Sequence, residues 1–274
     1  MPGHDAGEEA LSTRRTTIDR VAATGSTNDD LLARIRAAAA AGETTFAPCL
    51  LVADRQSAGR GRHGRTWHAE AGRSLTFSLA WQSARADLAG LSLAVGVVLA
   101  DALEPARETT RIGLKWPNDL WLVDADADQP LRGGRKLAGI LVETAPLGAQ
   151  RVAVIGVGIN VHAQTVTGAA SGIGSLDEIE PGATPSSTLA LVGPALVAAL
   201  ERFDALGFAA FAERFAARDV LRGRAVAGAP GDVAGVAAGV GSDGALLVDT
   251  GTRVVAVTSG DWRLRLGERA EQSC

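Results

Sequence analysis

The stretch Gln56-Ser57-Ala58-Gly59-Arg60-Gly61-Arg62-His63-Gly64-Arg65-Thr66-Trp67 combines three glycines with three arginines, and Arg55 stands just before it. Glycines let backbone N–H groups come close to an anion. Arginines add permanently charged forks that fit carboxylate or phosphate. Clustered cations repel one another, so such a loop stays mobile until an anion draws it together. The pattern reads as a phosphate-clamping loop that orders on binding. A solvated arginine loop without a ligand is the plain rival. Gly59, Gly61 and Gly64 match G-x-G-x-x-G, but no apolar helix opens in the pattern, as a dinucleotide site requires. No Gly-Lys-Ser/Thr follows, so it is not a P-loop.

Three further motifs carry candidate chemistry. In Leu114-Lys115-Trp116-Pro117-Asn118-Asp119-Leu120, proline interrupts a strand and Asn118 and Asp119 offer oxygens suited to Mg²⁺ or a ribose hydroxyl. A plain β-turn explains the same residues. In Lys136-Leu137-Ala138-Gly139-Ile140-Leu141-Val142-Glu143, a lysine heads an apolar strand and Gly139 leaves room for a flat ligand. Gly156-Val157-Gly158-Ile159-Asn160 is a glycine-spaced strand ending on an amide. The four histidines, His4, His63, His68 and His162, lack ligand spacing, and no triad or paired carboxylates are evident. A site of cations, backbone amides and one acidic turn suits electrostatic chemistry: it holds phosphates and neutralises developing charge.

The elements that must position these groups follow from periodicity and punctuation. A strand is expected at Ile18 to Ala22. Ser26-Thr27-Asn28 then caps a helix that runs to Gly42. Strands are expected at Cys49 to Ala53, Ser74 to Trp81, Arg111 to Trp116, Leu120 to Val123, Lys136 to Ala145 and Arg151 to Asn160. Helices are expected at Leu88 to Leu103, stopped by Pro105, and from Ser187 to about Arg218 with a break near Gly207. Residues 124 to 134 read as a polar connection and 163 to 187 as a long loop. From Gly223, short valine-rich runs between Gly-Asp, Ser-Asp-Gly and Thr-Gly punctuation have the spacing of a small all-β module.

The chain has 274 residues, 46% of them hydrophobic and 21% charged, an ordinary globular balance. Its net charge of −4 and lack of a basic tail make nucleic acid a poor main partner. No apolar run reaches the roughly 18 to 20 residues that cross a bilayer, and the N-terminus lacks the apolar core of a secretory signal. Two distant cysteines suit a reducing compartment; Cys49 is expected in the core and Cys274 as a loose terminal thiol. Cytoplasm is the default. Of the 27 cationic residues, 25 are arginine; the two lysines are Lys115 and Lys136. Codon bias explains the arginines and leaves the lysines to be explained by chemistry.

Ser26-Thr27-Asn28, the G-R-G-R-x-G-R-x-W run from Gly59 to Trp67, Lys115-Trp116-Pro117-Asn118-Asp119, Lys136 to Glu143, and Gly156 to Asn160 occur in one order. Together they strongly resemble the biotin–protein ligases, over about residues 18 to 266. The resemblance implies an α+β fold: a catalytic domain with a mixed sheet, shared with lipoate ligases and class II synthetases, and a small SH3-like C-terminal β-barrel. The expected division is a polar tail at 1–16, a catalytic domain at 17–221 and the barrel at 222–268. The implied reaction has two steps. Biotin carboxylate attacks the α-phosphorus of ATP, with Mg²⁺, giving biotinyl-5′-AMP and pyrophosphate. A lysine of a biotin carboxyl carrier domain of an acyl-CoA carboxylase then attacks the mixed anhydride and releases AMP. Each nucleophile comes from a substrate, which accounts for the absence of one in the chain.

By the same resemblance, Ser26, Thr27, Asn28 and Gln56 hydrogen-bond biotin, and Gly59 and the Arg60-Gly61-Arg62 segment fold over it. Arg62 holds the α-phosphate and retains the intermediate. Lys136 bridges the biotin carboxylate and the α-phosphate, and Gly139 lies beside the ligand. Arg65, Trp67, Lys115, Asn118 and Asn160 serve ATP, with Trp67 stacking on adenine or closing the pocket, and Asp119 is the candidate metal ligand. Some relatives carry an N-terminal DNA-binding domain. Fewer than about 25 residues precede the catalytic region here, so a monofunctional enzyme without DNA binding is expected, as a monomer or weak homodimer. The connection at 124 to 135 departs from the family pattern. A lipoate or octanoate ligase and a non-catalytic anion-binding module remain the alternatives.

Overall fold

The structure, a computed structural model, describes residues 16–104, 110–123, 134–164, 172–229 and 233–264. The expectations for Pro105, the 124–133 connection and Cys274 lie outside these residues. The larger unit is built on a mixed sheet of seven strands: β1 (Thr17–Thr24), β2 (Cys49–Gln56), β3 (Ser74–Gln82), β4 (Ile112–Lys115), β5 (Asp119–Leu122), β6 (Arg135–Leu147) and β7 (Gln150–Asn160). Their order is β1-β2-β3-β7-β6-β5-β4, with β1 and β2 parallel and the other pairs antiparallel. β6 and β7 run longer than expected because their ends pair as a hairpin through Leu147 and Gln150.

The two faces of the sheet have different fates. On one, Leu75, Phe77 and Leu79 of β3 and Ile155, Val157 and Ile159 of β7 pack in the main core with helices α2 (Leu91–Leu103) and α3 (Pro185–Leu206). Period-2 alternation thus buries one set of side chains and turns the other set to the opposite face. That opposite face is divided. Its apolar end, with Ala145, Leu147, Val152 and Val154, packs against Leu31, Leu32 and Ile35 of helix α1 (Thr27–Ala40). Its other end carries Thr76, Gly139, Gly156 and Gly158 and is left for a cavity, with Ser78 buried beneath Thr27 and Asn28 beside it.

Helix α3 begins at Pro185, two residues before the expected start, because Thr184 and Ser187 form a reciprocal cap and proline suits the first helical turn. It ends at Gly207 (φ 66), where the expected break falls. A 3₁₀ turn (Phe208–Phe211) and a short helix α4 (Ala212–Ala216) follow. Helix α2 starts later than expected, at Leu91, because Gly90 turns the chain in the left-handed region (φ 76).

The C-terminal unit is a five-stranded antiparallel sheet ordered β11-β10-β9-β8-β12, from β8 (Ala225–Ala229), β9 (Val233–Val240), β10 (Leu246–Asp249), β11 (Val254–Val257) and β12 (Asp261–Leu264). It agrees with an SH3-like module. So few residues bury little apolar surface by themselves. Val226, Ala237, Leu246 and Val248 accordingly join the main core, and Trp116 Nε1 donates to the Gly244 carbonyl at 2.9 Å.

Candidate functional site

One cavity opens on the glycine-rich end of the sheet. Ser26, Thr27, Asn28 and Gln56 line one side, and Arg60, Gly61, Arg62, Arg65 and Trp67 belong to the loop across it. Lys115, Asn118, Asp119, Lys136 and Gly139 form the other side. Two residues singled out in the sequence stand elsewhere. Gly59 lines the outer cleft of the loop. Asn160 is buried and donates from Nδ2 to the Lys136 carbonyl at 3.0 Å, so its amide holds the lysine's backbone from beneath.

Ser26 caps α1 by accepting from Asp29 N–H, which brings Thr27 and Asn28 to the cavity at the helix's first turn. Gln56 Oε1 accepts from Thr27 N (2.7 Å) and Thr27 Oγ1 (3.1 Å). Ser78 Oγ lies 2.6 Å from both Thr27 Oγ1 and Asn28 Oδ1. Asn28 Nδ2 donates to Glu143 Oε2 at 2.9 Å. Thr27, Asn28 and Ser78 are buried, Gln56 and Glu143 half-buried, and together they are largely mutually satisfied.

The glycines of Gly156-Val157-Gly158 earn their spacing here. A Cβ on Gly156 would sit 2.3 Å from Asn28 Oδ1, and one on Gly158 would sit 2.2 Å from the Trp67 ring. Gly139 also faces that ring: its added Cβ would lie 3.3 Å from Trp67 Cζ3 and 3.2 Å from Lys136 Nζ. Two adjacent strands thus give up side chains so that an indole and an amide can approach the sheet. The loop between Gln56 and Trp67 folds on itself through an Arg60–Thr66 bridge and turns at His63 (φ 55) and Gly64 (φ 72). Gly59 allows its own closure, since a Cβ there would meet the Trp67 carbonyl at 2.4 Å.

On the far wall, Lys115-Trp116-Pro117-Asn118-Asp119 is a tight turn between β4 and β5, with Asn118 N–H donating to the Lys115 carbonyl. The turn also faces the cavity, so the turn reading and the site reading describe the same residues. Asn118 Nδ2 donates to the Ile140 carbonyl at 2.8 Å, and Arg62 reaches Asn118 Oδ1 at 3.5 Å. Asp119 lies 2.7 Å from Lys136 Nζ. Lys115 Nζ stands 4.7 Å from the Trp121 ring centroid, and Lys136 Nζ 5.7 Å from that of Trp67. One oxygen of each of the two residues expected to serve Mg²⁺ or a ribose thus already faces a protein cation. Among the described residues, no group of three or more His, Cys, Asp or Glu could hold a metal.

Chemically, this is a partly open polar pocket leading to a wall of cations, and among the described residues that line it no nucleophile is hydrogen-bonded to a base. The chain's middle, residues 40–160, matches the model of the Biotin/lipoate A/B protein ligase family. The biotin–[acetyl-CoA-carboxylase] ligase of Mycobacterium tuberculosis is 36% identical over 262 residues, spanning 89% of this chain and 87% of that protein. The chain belongs to the biotin protein ligase family. A second family member, the bifunctional ligase/repressor BirA of Escherichia coli, is 34% identical over 80% of this chain and 67% of its own length. Among solved structures, the biotin protein ligase from Aquifex aeolicus in complex with biotin and ATP superposes with a TM-score of 0.73 at 25% identity. That match covers 91% of this chain and 98% of the other.

Ser78, Thr76 and Glu143 escaped the sequence reading as site residues. Their signal was present. Ser74, Thr76 and Ser78 alternate with Leu75, Phe77 and Leu79, so the first half of one β3 face is a row of hydroxyls. Glu143 shares its face with Gly139 and Leu141 by the same period.

Proposed function

We propose that this chain is a biotin–[acetyl-CoA-carboxylase] ligase. It activates biotin with ATP to biotinyl-5′-AMP and pyrophosphate, then transfers biotin to a lysine of a carboxylase's biotin carrier domain. The observation that carries the reading is the join between the satisfied polar pocket at Thr27, Asn28, Gln56 and Ser78 and the cationic wall at Arg62, Lys115 and Lys136. The first recognises a neutral polar head, and the second takes a carboxylate and a phosphate chain.

Each residue then has work that suits its chemistry. Lys136 sits where the biotin carboxylate and the α-phosphate must meet. Its compact ammonium can bind both oxygens, and it offsets charge that grows on the phosphorus oxygens as the new bond forms. Asp119 holds that ammonium in place. Arg62 and Arg65, carried on the loop across the cavity, bind phosphate oxygens. They keep the adenylate from water until the carrier amine attacks. Trp67, flat on Gly139 and Gly158, provides an aromatic surface for the adenine. Mg²⁺ would neutralise the leaving pyrophosphate. Asp119 and Asn118 are the oxygen groups of the cavity wall suited to that task, and such an ion would be held largely by the nucleotide's own phosphates. Action in the cytoplasm fits a substrate pair of ATP and a carboxylase.

Incubating the full chain with biotin, Mg-ATP and a carrier domain should add the mass of one biotinyl group to that domain. No added mass, with no biotin-dependent pyrophosphate exchange, would leave only an anion-binding module. Exchange with lipoate or octanoate but not biotin would reassign the acid.

A further inference from the structure

The glycine–arginine loop is tied to the floor of the acid pocket at two points. At its root, Gln56 accepts from Thr27. In its body, Arg60 Nη1 lies 2.6 Å from Asp29 Oδ1, and Nη2 pairs with Glu143 Oε1. The other oxygen of the same carboxylate, Glu143 Oε2, accepts from Asn28 Nδ2 at 2.9 Å. Asn28 connects through Ser78 to Thr27 and so back to Gln56. The polar side chains therefore form a closed circuit from loop root to pocket floor to loop body. Glu143 is the member that touches both the floor and the loop body.

We propose that Glu143 is a positioning residue that latches the loop, coupling an ordered biotin pocket to a closed lid; this rests on the ligase reading above. One oxygen fixes the amide of a pocket residue and the other receives an arginine of the lid. The Asn28 amide and the Arg60 guanidinium thus share one carboxylate, so the pocket floor and the loop body hold each other through Glu143. The position on β6 makes this possible, because Glu143 projects on the same face as Leu141 and Gly139. The strength suits a lid. The Arg60 and Glu143 side chains are 43% and 25% exposed, so water and salt weaken their attraction and the latch can open. Asp29 supplies a second anion to the same guanidinium, so Arg60 bridges α1 and β6 at the solvent edge.

The test uses Glu143→Gln in the full chain. The amide oxygen can still accept from Asn28, but the anion facing Arg60 is gone. In ligand-free protein, trypsin should cut after Arg62 and Arg65 about three- to five-fold faster than in the parent, the scale an exposed ion pair supports, with cuts elsewhere unchanged. Equal loop cutting overturns the latch, whatever the site does with biotin. Uniformly faster cutting with a lowered Tm also overturns it, since that reports general loosening. In the second arm, biotinyl-5′-AMP formed in the site should escape several-fold faster from Glu143→Gln at low salt. High salt should close that gap, and Glu143→Asp should fall between. Unchanged escape overturns the proposal. Parent protein that forms no adenylate sinks the ligase reading, and the trypsin arm still decides the latch.

Discussion

Lys136 Nζ and the Asp119 carboxylate face each other at 2.7 Å across the β5–β6 pair, at the rim of a floor made of glycine. The lysine is held by its carboxylate, by an aromatic ring 5.7 Å away and by Asn160 beneath its carbonyl. Its reach is therefore set from three directions. Lys136→Arg keeps the charge but replaces a compact ammonium with a wide planar fork. Adenylation, read as biotin-dependent pyrophosphate exchange, is expected to fall at least about ten-fold, about 1.4 kcal/mol of transition-state stabilisation. Near-normal exchange would mean that any cation suffices.

Gly158→Ala should evict the Trp67 ring, since the added Cβ would lie 2.2 Å from it. The misfit costs about 1 to 3 kcal/mol of packing unless the indole moves away. A raised KM for ATP with little change in the KM for biotin is expected. Gly156→Ala should show the opposite split, because its Cβ would collide with Asn28 instead. If both variants raise the same KM, the division of the floor between the two substrates is wrong.

Arg62→Gly should weaken retention of biotinyl-5′-AMP. Arg62 spans from the loop to Asn118 on the opposite wall, and glycine removes both that contact and a cation for the phosphate. A several-fold rise in adenylate released to solution, measured by trapping with free amine, is the expected outcome. Leakage equal to the parent's removes the role.

Asp219, at the junction between the two sheets, has its carboxyl pushed up from the usual value of 3.8 by burial, against an opposing hydrogen bond from Leu221 N–H. An acid whose folded pKa is raised stabilises the fold fully only below its unfolded pKa. That contribution is lost as pH rises through the folded value. Asp219→Asn should therefore match the parent in Tm below about pH 4 and exceed it increasingly toward neutrality. A constant Tm difference across that range would show that Asp219 does not titrate between the folded and unfolded states.

Much of the site was legible because its chemistry is local. A Ser-Thr-Asn cap, a glycine–arginine loop and a Pro-Asn-Asp turn each occupy a few consecutive residues. Their side chains declare what they bind. The long helices were legible too, through apolar periodicity and through Gly207 as a stop. Less legible were Asn160, whose amide turned out to serve Lys136 rather than face the cavity, and Glu143, whose partners lie 83 and 115 positions away. Neither contact has a signature in a short window.

By itself the sequence determined the chemical inventory: which cations, amides and glycines exist, and that both lysines sit in motifs. Period-2 alternation and capping are short-range physics and need no fold to be read. Only the tertiary structure decided which groups meet. The β3-β7-β6-β5 order lays Thr76, Gly158, Gly139 and Asp119 in one cross-strand row. Cross-strand register is set by packing of the opposite face against α2 and α3, a property of the whole core that no single motif contains.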